Sequence, residues 1–390
     1  MTFAPADRIA SLKPYFFAHL GKRVADLERS GMDVIRMDIG SPDLPPAPFI
    51  IEALVERASQ PTTHGYTAFG GTPAYREAVA EYYGRRFGVE LDPRKNVVGL
   101  IGSKEGIFTI NQVILNPGDT VLVPDPGYGT YSISAEIAGA EVVTMPLLAE
   151  NGFLVDFSAI PEEVARRAKL LWLNYPNNPT GAVAPLDFFV EAVGFARKYD
   201  LLLAHDTPYI DICYNGYRAP SLLQVPGALD YTVEFNSLSK AYNMAGWRLG
   251  MAVGNPDVIG YIETYKSQKD TAHFEPILYA GIHALTGDQA WTQERNAVYE
   301  RRLLIIRDAL EAMGLNPNIP QAALYTWTPV PDGMDDVTFC DWMLKEIGVS
   351  TTPGSVFGPT GRNYFRMSIC TPEDRTREAM ARMVGWVKSL

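Results

Sequence analysis

Cysteine is scarce in this 390-residue sequence: Cys213, Cys340 and Cys370 are far apart, odd in number and in no C-x-x-C spacing. That usage excludes a disulfide frame and a cysteine-ligated zinc site, and it fits free thiols in a reducing cytoplasm. Five scattered histidines form no metal constellation, so no metal site is expected. Charge is also sparse, at 20 % of residues, and basic residues are outnumbered 34 to 45, for a net −11. A deficit of Lys and Arg excludes broad nucleic-acid or anionic-membrane surfaces, which need clustered cations. It leaves room for one small basic pocket. No run of about eighteen apolar residues is available to span a bilayer. The start, MTFAPADRIASLKPYFF, lacks a basic stretch followed by an apolar core, so no secretory signal is expected. A cytoplasmic protein is the expectation.

What is present is a hydrophobic fraction of 47 %, ordinary for a folded chain, in a length that calls for more than one packed unit. Seven short apolar runs lie at 96–102, 120–124, 140–145, 170–174, 201–205, 232–236 and 249–253. They are rich in Val, Ile and Leu and apolar nearly throughout, as strands covered on both faces are. Helical periodicity separates them. In 185–200, Phe188, Phe189, Ala192, Val193 and Ala196 recur at three- and four-residue steps. Such alternation predicts an α/β fold with a mainly parallel seven-stranded sheet flanked by helices, and ligands at the carboxyl ends of its strands. The pattern changes at 289–313 to one long helix. The expected division is an N-terminal segment 1–45 packing with a smaller α/β unit at 289–390, and a large unit at 46–288.

Several common signatures are missing. There is no G-x-x-x-x-G-K-[ST], H-E-x-x-H or G-x-S-x-G, and GYGTYS at 127–132 has Ser132 where a dinucleotide fingerprint needs its third glycine. The informative stretch is NSLSKAYNMAGWRLG at 236–250, which places Ser237, Lys240 and Arg248 just after an apolar strand. A lysine buried there has its pKa lowered, the state a Schiff-base lysine needs, while Ser237 and Arg248 suit one phosphate. The competing reading makes Lys240 a helix cap and Arg248 half of a surface ion pair. HDTPYIDI puts Asp206 past another strand, with Tyr209 three residues on. An aspartate there either keeps a pyridine nitrogen protonated or caps the next helix. NYPNNPTG at 174–181 builds a rigid turn around Asn178. GSKEGI at 102–107 opens a helix with Ser103 and Lys104, and DPGYGTY offers the Tyr128 ring for stacking. All five stretches fall at predicted strand ends.

In their order along the chain, GSKEG, DPGY, NYPNNPTG, HDTPY, SLSKAYNMAGWRLG and YFRMS, the motifs resemble the fold type I pyridoxal-phosphate enzymes, the aspartate aminotransferase superfamily, over essentially the whole chain. The texture is similar to bacterial aminotransferases of the LL-diaminopimelate type. The resemblance implies pyridoxal 5′-phosphate as cofactor. Lys240 would carry it as a Schiff base and shuttle a proton, Asp206 would pair with its ring nitrogen, and Asn178 and Tyr209 would hold its ring oxygen. Tyr128 would stack on the ring; Ser103, Lys104, Ser237 and Arg248 would hold the phosphate. Tyr66 would reach the phosphate of the neighbouring subunit, which makes a homodimer with shared sites the expected assembly. Arg366 would grip the substrate α-carboxylate near Gly40 and Asn178, with Tyr15 closing over the pocket.

The implied reaction moves an amino group from an L-amino acid (aspartate, glutamate, alanine or LL-diaminopimelate) to a 2-oxo acid, 2-oxoglutarate or pyruvate. The alternatives are a carbon–sulfur β-lyase or decarboxylase on the same fold, and a non-catalytic regulatory module. Three stretches depart from the family's usual pattern. DTAHFEP at 270–276 replaces a Ser/Thr/Asn-rich run, Gly129 replaces a proline, and AALYTW at 322–327 carries Ala and Leu where relatives often have Gly or Thr and Phe. Which of Lys266, Lys269, His273 and Glu275 faces a pocket stays open from sequence.

Overall fold

A computed structural model describes residues 3–12 and 14–388; residues 1, 2, 13, 389 and 390, which fall within the outer spans expected above, lie outside the described residues. The strands in chain order are β1 (Ile35–Arg36), β2 (Val97–Leu100), β3 (Thr120–Asp125), β4 (Glu141–Pro146), β5 (Ala168–Leu173) and β6 (Leu202–Asp206). They continue with β7 (Thr232–Ser237), β8 (Gly250–Gly254), β9 (Tyr325–Pro329), β10 (Val349–Ser350), β11 (Thr352–Pro353) and β12 (Tyr364–Ser368). The seven runs expected from hydrophobicity are the seven strands of one sheet, in the order β2-β8-β7-β6-β5-β3-β4. Only β8 runs against its neighbours β2 and β7; the other ladders are parallel.

Alternate residues of these strands feed two cores. One face carries Val97, Leu122, Leu171, Leu173, Leu203 and Met251 against the helices Pro73–Phe87, Leu186–Tyr199 and Glu275–Thr286. The other carries Val98, Val121, Leu170, Trp172, Val233 and Phe235 against Ser103–Ile114, Thr130–Ile137 and Pro256–Lys269. Two-sided cover explains the continuous apolar runs, and each fully buried Leu, Ile or Phe contributes about 1.5–3 kcal/mol. Strand β4 differs from the expectation: it is the sheet edge, and Glu141, Thr144 and Pro146 are exposed.

A further core joins the helix Ala290–Ala312, through Tyr299, Leu303, Ile306 and Leu310, to Phe365 and Met367 of β12 and to Ala379, Met380 and Met383. Its sheet is antiparallel, β11-β12-β9, and β1 pairs in parallel with β10. Ile35 and Met37, and Tyr209 and Ile212 from the loop after β6, pack into the same core. The carboxyl ends of β5, β6 and β7 therefore face this second layer, and the cavity between them is where the strand-end motifs meet. No described helix is long and apolar enough to cross a membrane.

Candidate active site

Twelve of the thirteen residues singled out from sequence line one cavity of about 480 Å³: Tyr15, Gly40, Ser103, Lys104, Tyr128, Asn178, Asp206, Tyr209, Ser237, Lys240, Arg248 and Arg366. The thirteenth, Tyr66, is 92 % exposed and lies outside it.

Lys240 does not end a strand; it sits in a one-turn helix, Leu238–Ala241, that begins where β7 stops, with Ser237 as N-cap. Its Nζ donates to the Gly40 carbonyl at 2.5 Å. Burial pushes the ammonium below its ordinary range; the Arg366 and Arg248 cations push the same way, against an opposing influence from Cys370. Behind it, the buried Arg295 donates to the carbonyls of Lys240 and Ala241 at 3.0 and 2.6 Å, which clamps the short helix to the long one.

Asp206 is the last residue of β6 and 3 % exposed. Burial raises its carboxyl to about 7, against the hydroxyl of Tyr131, which donates to Oδ2 at 2.8 Å. Oδ1 is buried and has no partner among the described residues. A buried oxygen without a hydrogen bond is costly, and its place at the cavity wall marks a valence kept for something else. Asn174 supports this corner: its amide donates to the Asp206 carbonyl at 2.7 Å and its oxygen accepts from Asn178 N at 2.8 Å.

Arg366, in β12 and 3 % exposed, donates to Asn178 Oδ1 at 2.7 Å and to the Asp38 carbonyl at 2.9 Å. No described carboxylate pairs with it, and its Nε is unpartnered. A buried guanidinium in that state is poised for a carboxylate from outside the chain. The Tyr325 and Phe357 rings carry it from below, with centroids 4.1 and 4.6 Å from Cζ.

At the far end, the helix Ser103–Ile114 starts from Gly102, at φ 74°, without a side-chain cap. A Cβ on Gly102 would lie 2.2 Å from Arg248 Nη2, so only glycine lets that guanidinium reach over the helix start. Arg248 itself donates to the Ala245 carbonyl at 2.8 Å, and Lys104 Nζ lies over the Tyr15 and Tyr128 rings at 5.6 and 6.0 Å. Uncapped amides with Ser103, Ser237, Lys104 and Arg248 make a pocket for a phosphate.

Sequence reasoning missed five supports: Tyr131, Asn174, Tyr325, Phe357 and the bidentate Arg36–Asp38 pair, at 2.7 and 2.6 Å. Tyr131 and Asn174 stood inside the motifs already picked out, three and four residues from Tyr128 and Asn178. Strand periodicity places Tyr325 two residues from Trp327, but nothing local aims it at the cavity. Within this chain, the charged groups of 266–278 already have partners. Lys266 and Lys269 are occupied by Glu105 and Asp270, Glu275 by Arg57, and His273 Nε2 lies 2.7 Å from the Arg248 carbonyl.

Comparison with known proteins supports the geometry. Residues 32–383 match the family model for aminotransferase class I and II. The LL-diaminopimelate aminotransferase of Moorella thermoacetica is 49 % identical, over 97 % of both chains. Among solved structures, the apo-BacF structure from Bacillus subtilis superposes with a TM-score of 0.95 at 35 % identity, over 99 % of this chain and 98 % of that one. A probable N-succinyldiaminopimelate aminotransferase from Thermus thermophilus does so with 0.90 at 38 %, over 95 % and 99 %. A lysine, an aspartate with a spare oxygen and an arginine without a carboxylate thus share one cavity in a chain that belongs to the class I and II aminotransferases, and it is an aminotransferase.

Proposed function

We propose that the chain uses pyridoxal 5′-phosphate to move an amino group from LL-diaminopimelate to a 2-oxo acid, 2-oxoglutarate or pyruvate. The observation that carries the cofactor is the buried, unpartnered Oδ1 of Asp206 facing the cavity. A ring nitrogen bearing a proton supplies the donor that this oxygen lacks. Ser103, Lys104, Ser237 and Arg248 are assigned to the phosphate, Asn178 and Tyr209 to the ring oxygen, and Tyr128 to the ring face. Bound there, pyridoxal phosphate would supply a protonated ring able to delocalise charge from the substrate α-carbon. The donor follows from the names of the relatives.

The chain's own residues divide the remaining work. Arg366 fixes the α-carboxylate in two bonds and so orients the α-carbon beneath Lys240. Lys240, with its ammonium destabilised by burial and by two arginines, is ready as a neutral amine to take a proton from that carbon and return it. Asp206, once paired, stays ionised and holds the ring nitrogen's proton in place. Tyr15, 56 % exposed at the mouth, is assigned to closing over the substrate. Tyr66 is assigned to the phosphate of a second copy in a homodimer, and the domains to 1–45 with 289–390 and 46–288. A cytoplasmic location suits three free thiols.

The test is a half-reaction screen. Purified protein loaded with pyridoxal phosphate is mixed with single amino acids, and conversion to the pyridoxamine form is followed by absorbance. LL-diaminopimelate should convert it fastest among LL-diaminopimelate, aspartate, glutamate, alanine and the aromatics. Faster conversion by another donor overturns the substrate assignment, and pyruvate and ammonia released from cystathionine without an acceptor would overturn transamination.

A further inference from the structure

We propose that Tyr325 is a positioning residue that couples the cofactor end of the cavity to the carboxylate end. Its hydroxyl sets the direction in which Tyr209 donates, and its ring carries Arg366. The inference rests on the pyridoxal-phosphate reading above.

Trp327 of β9 is the register partner of Arg366 in β12. Side chains two residues apart on a strand share a face, so Tyr325 lies diagonal to Arg366 on the same side of the sheet. Its ring is the closest of three aromatics to the guanidinium, at 4.1 Å against 4.6 Å for Phe357 and 5.6 Å for Phe17. In the other direction its Oη is 2.9 Å from Tyr209 Oη, with the two rings edge to face at 81°. A Cβ at Gly40 would lie 2.0 Å from Tyr325 Oη, so glycine at 40 is what lets the phenol enter. Gly40 also supplies the carbonyl that accepts from Lys240. One phenol therefore touches Tyr209, Arg366 and the residue whose carbonyl accepts from Lys240.

Between two hydroxyls, one must donate. Burial raises both phenols, so both keep their protons near neutral pH. Arg366 favours proton loss from both phenols, but its guanidinium lies directly against the Tyr325 ring, which makes Tyr325 the better donor. The other charged groups facing the pair are Asp206 at the end of β6 and Lys240, with Tyr128 and Cys370 the nearby titratable ones. With Tyr325 donating to Tyr209 Oη, the Tyr209 proton is turned toward the cavity and becomes a stronger donor to a cofactor oxygen. With pyridoxal phosphate held there, a donor on that oxygen would lower the pH at which the Lys240 nitrogen loses its proton. Loosening Tyr209 therefore moves that proton loss upward.

The experiment adds pyridoxal phosphate to wild type, Y325F, Y325L, Y209F and the Y209F/Y325F double variant. Two readouts are followed: the pH midpoint of the bound-cofactor colour change, and the affinity for succinate as an inert carboxylate. Y325F should raise the midpoint by roughly half a unit or more, and the shift should vanish in the Y209F background. Y325F should bind succinate within about twofold of wild type, because the ring remains, whereas Y325L should bind about 3- to 10-fold more weakly. An unmoved midpoint in Y325F, the same shift in the Y209F background, or Y325L binding succinate like wild type overturns the inference. If Y325L fails to fold, Y325F and the double-variant cycle decide alone. Wild type that takes up no colour removes the cofactor reading as well, which separates the two failures.

Discussion

Two carboxylates stand on neighbouring strands of the central sheet and are equally hidden from water, yet they are provisioned in opposite ways. Glu234 of β7, fully buried, accepts from the hydroxyls of Tyr83 and Ser221 and from Leu222 N at 2.8–3.2 Å, and lies 3.1 Å from His205 Nδ1. Asp206 of β6 accepts one bond, from Tyr131, and keeps one oxygen bare. Two buried arginines repeat the contrast. Arg302 binds Asp43 through both terminal nitrogens at 2.7 and 2.9 Å, whereas Arg366 has no carboxylate among the described residues. Away from the cavity Glu234 is fully bonded and Arg302 has its carboxylate, although Arg302 Nε is also bare, as the cost of a lone buried ion favours. Where it faces the cavity, single valences are left open at places that match a ring nitrogen and a carboxylate. The difference separates architecture from function more sharply than burial does.

Four results would break or sharpen that contrast. The largest effect belongs to Lys240→Ala, which should lower turnover by about 10³-fold or more and remove the visible absorbance of added pyridoxal phosphate. A variant that colours like wild type would end the assignment. Next, Asp206→Asn should cost turnover on the order of 10²–10⁴-fold without lowering cofactor-free stability. Glu234→Gln should do the reverse, losing about 2–4 kcal/mol of stability with an unchanged KM for the amino acid. Equal stability losses in the two variants would show that the two carboxylates do the same job.

The arginines give a smaller pair of effects. Arg366→Lys should raise KM for the amino donor by about 10- to 100-fold, because a point charge does not replace a fork. Arg302→Lys should lower Tm and spare KM; a KM shift in the latter alone would reverse the assignment. The smallest effect is on pH. The folded-state pKa of Asp206 is raised from 3.8 to about 7, so the fold favours the neutral acid. Its contribution is complete below about pH 4 and is lost as pH rises through about 7. Urea unfolding of the cofactor-free protein should therefore show wild type losing stability relative to Asp206→Asn across that window. Loading with pyridoxal phosphate should abolish the trend, and a trend of opposite sign would contradict the burial of an unpaired acid.

Much of the sheet was legible because two-sided burial leaves an unbroken apolar run that no neighbour can disguise. The edge strand β4 was the exception: its exposed Glu141 and Thr144 reflect its place in the sheet, which periodicity does not encode. The site residues were legible as strand-end motifs, since an α/β sheet delivers its loops to one crevice. Their partners were not. Arg366 meets Asn178 across 188 residues and Lys240 meets Gly40 across 200.

By itself, then, the sequence determined the strand pattern and the identity of the lysine, aspartate and arginine. Only the tertiary structure decided which charges are spent. It tied Lys266 and Lys269 to Glu105, closed Glu234 in a full shell and left Asp206 and Arg366 open. It also set Tyr325 between Tyr209 and Arg366. Local pattern reports what each residue is able to bind; the folded packing of distant segments reports what it has already bound, and the remainder is the site.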